Sequence, residues 1–145
     1  MANYKKACKL SLADAAYIAG LVDGEGTIAL TRRHRNENRQ LEISISNTEM
    51  ELLEYLLKTI GAGRITQKKT YCDKHTPSAT YLISNRQALT LLEQISPFLR
   101  TYKQHRADLV LQDYLRLTPR NGKYSPETQQ KRNRFIETFL KIKPG

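Results

Sequence analysis

The hydrophobic period of this chain changes repeatedly along its length, and that alternation restricts the possible folds more than any other feature. LADAAYIAGLV (12–22) reads as a helix with Ser11 as N-cap, Asp14 three residues on, and Gly24 or Gly26 as the stop. TIALTRRHR (27–35) and QLEISIS (40–46) then alternate apolar with polar residues across the polar NENR, which predicts a hairpin. NTEMELLEYLLKTIG (47–61) returns to helical spacing, with Asn47 or Thr48 as cap, Leu52, Leu53, Leu56, Leu57 and Ile60 as the apolar face, and Gly61 as the stop. GRITQKKTY (63–71) and SATYLIS (78–84) predict a second hairpin around the loop CDKHTP. Two helices follow, RQALTLLEQISPFL (86–99), interrupted at Pro97, and QHRADLVLQDYLRL (104–117). After the breaker TPRNGKYSP, Ser125 and Pro126 open a last amphipathic helix carrying Phe135, Ile136, Phe139 and Leu140.

Helix, hairpin, helix, hairpin, helices is an α+β order. Four antiparallel strands need only one face covered, so helices on one side leave the other face to water. If Ile28 and Leu30 point inward, the free face carries Thr27, Ala29, Thr31, Arg33 and Arg35 from the first strand and Gln40, Glu42, Ser44 and Ser46 from the second. Arg64, Thr66, Lys68 and Thr70 follow from the third, and Ser78, Thr80 and Ser84 from the fourth, with Leu82 as the apolar exception. Such a face can hydrogen-bond base edges, and a two-stranded ribbon fits a DNA major groove; an ordinary solvated face is the equal alternative.

Charge favours the first reading. The chain has 145 residues, 39% of them hydrophobic, which suits one domain with a moderate core. Its net charge of +10 is the footprint of a polyanion binder. Residues 100–145 hold 11 basic and 4 acidic side chains against 13 and 10 in residues 1–99, so the last third is the more cationic. No apolar run approaches twenty residues and no leader pattern is present, so the expected location is intracellular, in the cytoplasm or an organelle, with no membrane partner. Cys8 and Cys72 form no disulfide framework, and Cys72 with His75 is half a zinc pattern without a second half. His34, His75 and His105 lack partners for nucleophilic or zinc chemistry and are expected on the surface or at DNA.

The first helix is apolar nearly all round and so must be covered on two sides. Ala16, Ala19, Gly20 and Gly24 would line a smooth stripe for close approach of a second copy, a twofold contact that also brings together both copies of Asp23 and Glu25. Acids at a helix C-terminus oppose its partial negative charge, so something cationic should offset them, and hard divalent ions bind through one or two carboxylates plus phosphates. An isolated DG would ordinarily be a polar turn.

Here the surrounding residues argue otherwise. IAGLVDGEG (18–26) resembles the signature of the LAGLIDADG homing endonucleases at seven of nine positions, departing at Gly24 for alanine and Glu25 for aspartate. The order of elements, NTEMELLEYLLKTIGAGRI and SPFLRTYKQHRADLVL extend the resemblance over residues 11–117, with a basic helical tail over 118–145 in the same single domain.

The resemblance implies the αββαββα fold, with a saddle-shaped four-stranded antiparallel sheet and helices on one face. One signature per chain implies a homodimer joined through the signature helices at Ala16, Ala19, Gly20, Asp23 and Gly24. It implies an intron-encoded nuclease that breaks both strands of a long pseudo-palindromic duplex and leaves short 3′ overhangs. Mg²⁺ is the implied cofactor, with Mn²⁺ substituting and Ca²⁺ binding without efficient cleavage. Glu25 takes the place of the metal-binding acid, with Gly24 and Asp23 beside it in the metal site; Asp23 is expected chiefly to shape the helix end. Asn47 matches a polar residue that orders water, although an N-cap role alone explains it equally well. Lys103 matches the basic residue beside the scissile phosphate, with Arg100 and Arg106 as neighbours. The DNA-binding face is expected at Thr31, Arg33, Arg35, Gln40, Glu42, Ser44, Ser46, Arg64, Thr66, Lys68, Thr70 and Thr80. A maturase acting on intron RNA, or a non-cleaving DNA-binding regulator, is the alternative on the same fold.

Overall fold

The computed structural model describes residues 7–67, 78–119 and 122–144. Its elements run α1 (Leu12–Glu25), β1 (Gly26–Thr31), β2 (Gln40–Asn47), α2 (Met50–Ile60), β3 (Arg64–Gln67), β4 (Ala79–Ser84), α3 (Asn85–Ile95), α4 (Tyr102–Asp113) and α5 (Pro126–Lys141), with a short 3₁₀ turn at Ser96–Phe98. The sheet order is β1-β2-β4-β3 with every neighbour antiparallel, so the α+β expectation holds.

The period-two pattern decides which way the sheet faces. Ile28, Leu30, Leu41, Ile43, Ile45, Ala79, Tyr81 and Ile83 are buried against helices, joining Ile18, Ala19 and Val22 of α1, Leu53, Leu56 and Ile60 of α2, and Leu89 and Leu92 of α3 in one core. The opposite face presents Thr27, Gln40, Ser46 and Arg64 exposed, with Thr31, Glu42, Ser44, Thr66 and Thr80 half-buried among them. Its polar groups pair across strands: Ser46 Oγ and Thr80 Oγ1 lie 2.7 Å apart, and Thr31 Oγ1 donates to Glu42 at 3.3 Å.

Two departures concern strand ends. β1 stops at Thr31, so Arg33 and Arg35 stand exposed in the β1–β2 loop (residues 32–39) and not on the strand. The reason is local: Arg32 reaches the Arg35 carbonyl at 3.0 Å and Glu37 N–H bonds the His34 carbonyl at 3.1 Å, which closes a turn where extended backbone was expected. β3 is described only to Gln67; Lys68, Thr70, Cys72 and His75 lie outside the described residues.

Chain punctuation follows the glycines. α1 runs through Gly24 and ends only at Gly26, where a Cβ would meet Val22 Cα at 2.7 Å and the Ser44 carbonyl at 3.1 Å, so helix passes into strand with no loop between them. Gly61 ends α2 in the left-handed region at φ 74°. α4 begins at Tyr102 with Thr101 as N-cap, slightly before the expected start. The basic tail packs back on the core: Phe135 and Phe139 of α5 are buried. Among the described residues no helix is long and apolar enough to cross a membrane.

Candidate active site at the end of the first helix

Because α1 turns into β1 without a linker, its last residue is held where the end of β2 passes. Glu25, exposed, accepts a hydrogen bond from Asn47 Nδ2 at 2.8 Å. The side-chain oxygen Oδ1 of Asn47 in turn accepts from Glu49 N–H at 2.8 Å, turning the chain into α2. The N-cap of α2 is Glu49, so neither Asn47 nor Thr48 takes the expected cap position; Asn47 turns the chain two residues earlier and also holds the acid.

Beneath this pair the helix ends of α1 and α4 hold each other. Asp23 Oδ2 accepts from Arg100 N–H at 2.8 Å, and its Oδ1 accepts from Thr101 N–H at 3.3 Å and Thr101 Oγ1 at 2.6 Å, so the carboxylate serves the amino end of α4. In return Lys103 Nζ donates to the Val22 and Asp23 carbonyls at 2.7 and 2.8 Å, a cation on the last turn of α1. Lys103 is therefore the cation beside Asp23. Its side chain is buried, and burial holds its pKa below the ordinary lysine value of 10.5, with Asp23 pulling the other way and Arg106 adding to the lowering.

Asp23 takes the chief role expected of it, shaping the helix end, while the expectations for Lys103 and Ala19 change. Asp23 has both carboxylate oxygens committed to α4, so it joins helices and does not stand open as a metal ligand. Lys103 sits under the α1 terminus, with its ammonium on backbone carbonyls and not on the open surface. Ala19 is fully buried in the chain's own core and is not available to a second copy.

The rest of the expected contact stripe is open. Ala16, Gly20 and Gly24 are exposed, and a Cβ built on either glycine meets nothing within 4 Å. Leu12 is 78% and Tyr17 51% exposed beside them, so among the described residues one side of an apolar helix is left uncovered. The helix start is braced by Ser11, which caps Asp14 N–H at 3.1 Å, and by Tyr55, whose hydroxyl donates to Asp14 at 2.6 Å. Burial, together with that bond, pushes the Tyr55 pKa up to about 12.

A divalent cation fits part of this arrangement. Glu25 offers hard oxygen donors at an exposed helix end, of which Asn47 engages one. Among the described residues no group of three His, Cys, Asp or Glu side chains gathers to enclose a metal. His34 and His105 are exposed, as expected.

Sequence reasoning missed Arg132 and gave Arg106 only as a neighbour of Lys103. Arg106 of α4 donates to the Ile28 carbonyl on the free edge of β1 and to the Ile142 carbonyl after α5, both at 2.8 Å. Arg132 of α5 is 1% exposed and donates to the Leu117 carbonyl at 2.7 Å and to the Arg39 carbonyl. Neither has a spacing signal, since their partners are backbone carbonyls remote in sequence.

The family model described as LAGLIDADG endonuclease matches residues 18–116. No curated protein matches by sequence. Among solved structures, the homing endonuclease I-CvuI in complex with its target is similar at 20% identity and a TM-score of 0.73, over 92% of this chain and 84% of that one. The homing endonuclease I-TnaI is similar at 18% identity and a TM-score of 0.60, over 93% of this chain and 97% of that one. The meganuclease I-SmaMI, bound to uncleaveable DNA, aligns at 18% identity and a TM-score of 0.64, over 90% of this chain but 45% of that one. With the family model spanning the signature helix, the four strands and α4, the chain belongs to the LAGLIDADG endonuclease family.

Proposed function

We propose that this chain is an intron-encoded, site-specific homing endonuclease that acts as a homodimer and makes a metal-dependent double-strand break with short 3′ overhangs. The observation that carries the reading is the Glu25–Asn47 pair at the exposed end of α1, directly beyond an apolar helix stripe that no described residue covers. A second copy packed on Ala16, Gly20 and Gly24 covers that stripe and brings the two Glu25 carboxylates side by side at the centre of a doubled sheet surface. The alignment with I-SmaMI, nearly complete for this chain but under half of that one, fits a unit that works in pairs.

Each residue then has a task. Thr31, Gln40, Glu42, Ser44, Ser46, Arg64, Thr66 and Thr80 present donors and acceptors to base edges, while basic side chains meet phosphates. Glu25 holds Mg²⁺ together with DNA phosphate and water ligands, and Asn47 fixes the orientation of that carboxylate. The bound metal supplies charge neutralisation at the scissile phosphate and a more acidic water. Lys103 and Asp23 hold α1 and α4 end to end so that Glu25 keeps its place. Ca²⁺ fills the same hard-oxygen site without supporting efficient cleavage. I-CvuI was solved with DNA in the presence of Mg and of Ca, which supports this choice of cation.

Dimerisation tests the assembly. Gly20→Leu puts a branched side chain where two helix backbones approach, and overpacking a tight contact costs about 1 to 3 kcal/mol. The variant should sediment as a monomer with a core melting close to that of wild type, and cleavage should be lost with the dimer. An unchanged dimer, or a wild-type chain that stays monomeric on DNA, contradicts the assembly.

A further inference from the structure

We propose that Arg132 is a positioning residue for DNA specificity, acting through the β1–β2 loop; this rests on the reading of the chain as a site-specific nuclease. Arg132 lies in the middle of α5 and is 1% exposed. No carboxylate among the described residues lies within ion-pair distance of it. A buried cation without a counter-charge is costly, and a well-packed apolar side chain of similar volume would serve stability as well or better. Its Nε is buried with no hydrogen-bond partner, which adds to that cost.

What the guanidinium achieves is a junction of three separate segments. Nη1 donates to the Leu117 carbonyl and to Thr118 Oγ1, both at 2.7 Å, on the turn after α4. Nη2 donates to the Arg39 carbonyl, the last residue of the loop before β2. The guanidinium carbon lies over the rings of Tyr114 and Tyr124, 5.5 and 5.4 Å from their centroids. Tyr114 is itself tied to the sheet, accepting from Leu41 N–H at 3.1 Å and donating to Asn85 at 2.8 Å.

The same loop end has two further ties. Gln129, one turn before Arg132, donates to Asn38 Oδ1 at 3.1 Å, and Arg39 Nη1 donates to the Leu30 carbonyl at 3.1 Å on the outer edge of β1. The returning arm of the loop is thereby fastened to α5 and to the sheet edge, while Arg33 and Arg35 stand exposed on the other arm. Loops read bases only when their backbone is held; a free loop loses orientation before it loses charge. α5 thus sets the aim of Arg33 and Arg35 at outer base pairs without touching DNA through Arg132.

The test is a position-resolved selection of bound and of cleaved duplexes for wild type, Arg132→Lys, Gln129→Ala and Arg33→Ala. Arg132→Lys keeps the charge but cannot span three acceptors. Discrimination at the base pairs that Arg33→Ala relaxes should fall roughly tenfold in Arg132→Lys and severalfold in Gln129→Ala, with positions relaxed by Ser44→Ala unchanged. Adding Arg33→Ala to Arg132→Lys should cost nothing more at those positions. If Arg132→Lys does not fold, the half-buried Gln129 carries the same test. Uniform loss over all positions, an unchanged profile, or additive losses overturn the inference. A wild-type chain that binds selectively without cutting refutes the nuclease reading while the binding profile still tests Arg132; a wild-type chain that selects no sequence overturns both.

Discussion

Glu25→Gln should abolish cleavage while leaving DNA binding intact. The substitution keeps the shape and the hydrogen bond that Asn47 donates, because the Gln side chain retains a carbonyl oxygen facing Asn47 Nδ2. It removes one negative charge per protomer and the hard ligand on which a divalent ion depends. Loss of such a group should lower the cleavage rate by at least about 10²- to 10³-fold. Binding goes the other way. Without metal, two clustered carboxylates repel the DNA phosphates, so neutralising them leaves affinity in chelator equal or tighter and makes it less responsive to added Mg²⁺. Gel shifts in chelator and in Mg²⁺, beside a cleavage time course, measure both effects. Cutting near the wild-type rate removes Glu25 from catalysis, and a folded dimer that no longer binds in chelator makes the acid structural.

The second large effect is expected at Lys103→Met. The ammonium is the donor to the Val22 and Asp23 carbonyls; its removal takes that donor from the Asp23 carbonyl and leaves the Val22 carbonyl with only the Gly26 N–H, at a helix terminus near the core. Charge-assisted hydrogen bonds contribute about 1.5 to 3 kcal/mol, and the desolvation that lowers this lysine's pKa subtracts from that total. A net loss of about 2 kcal/mol is expected, a fall in melting temperature of roughly 4 to 8 °C for a chain of this size. Because Glu25 closes the same helix, cleavage should fall about 10- to 100-fold, in the range seen when the support of a ligand is removed. Calorimetry with cleavage rates separates positioning from chemistry. A variant that melts like wild type yet is as inactive as Glu25→Gln would place Lys103 in the chemistry itself.

The parity of the sheet was legible because alternation is a direct record of burial. Ile28, Leu30, Leu41, Ile43 and Ile45 face the core and Gln40, Glu42, Ser44 and Ser46 face away, as the spacing implies. The same rule failed in TRRHR, where threonine and arginines alternate with nothing to bury, and turn hydrogen bonds at Arg32 and Glu37 took the backbone out of the strand. The spacing of the apolar α1 calls for two covers; in the single chain Ala16, Gly20 and Gly24 are exposed. Ala19 lies on the face that its own chain already covers.

Contacts distant in sequence were the illegible part. Asp23 and Lys103 lie 80 residues apart, and only the packing of α1 against α4 brings an acid onto one helix start and a lysine onto the other helix end. Spacing in IAGLVDGEG carries two acids but does not divide their tasks. The structure does, by turning Asp23 toward α4 and leaving Glu25 with Asn47. Arg132 was hidden for a related reason: on a helical wheel it is one more cation on a polar α5, and only the tertiary fold shows it enclosed by carbonyls and rings.

The central claim, that two copies of this chain join their Glu25 residues to cut both strands of one DNA site with a divalent cation, is tested most directly by recovering cleaved molecules from a random duplex library. Incubation with Mg²⁺ should enrich one long site whose halves are related by a twofold axis, with both strands cut at its centre and short 3′ overhangs, and chelator should abolish every product. Products that survive chelation, an enriched site without twofold-related halves, or no cleaved site at all would contradict it.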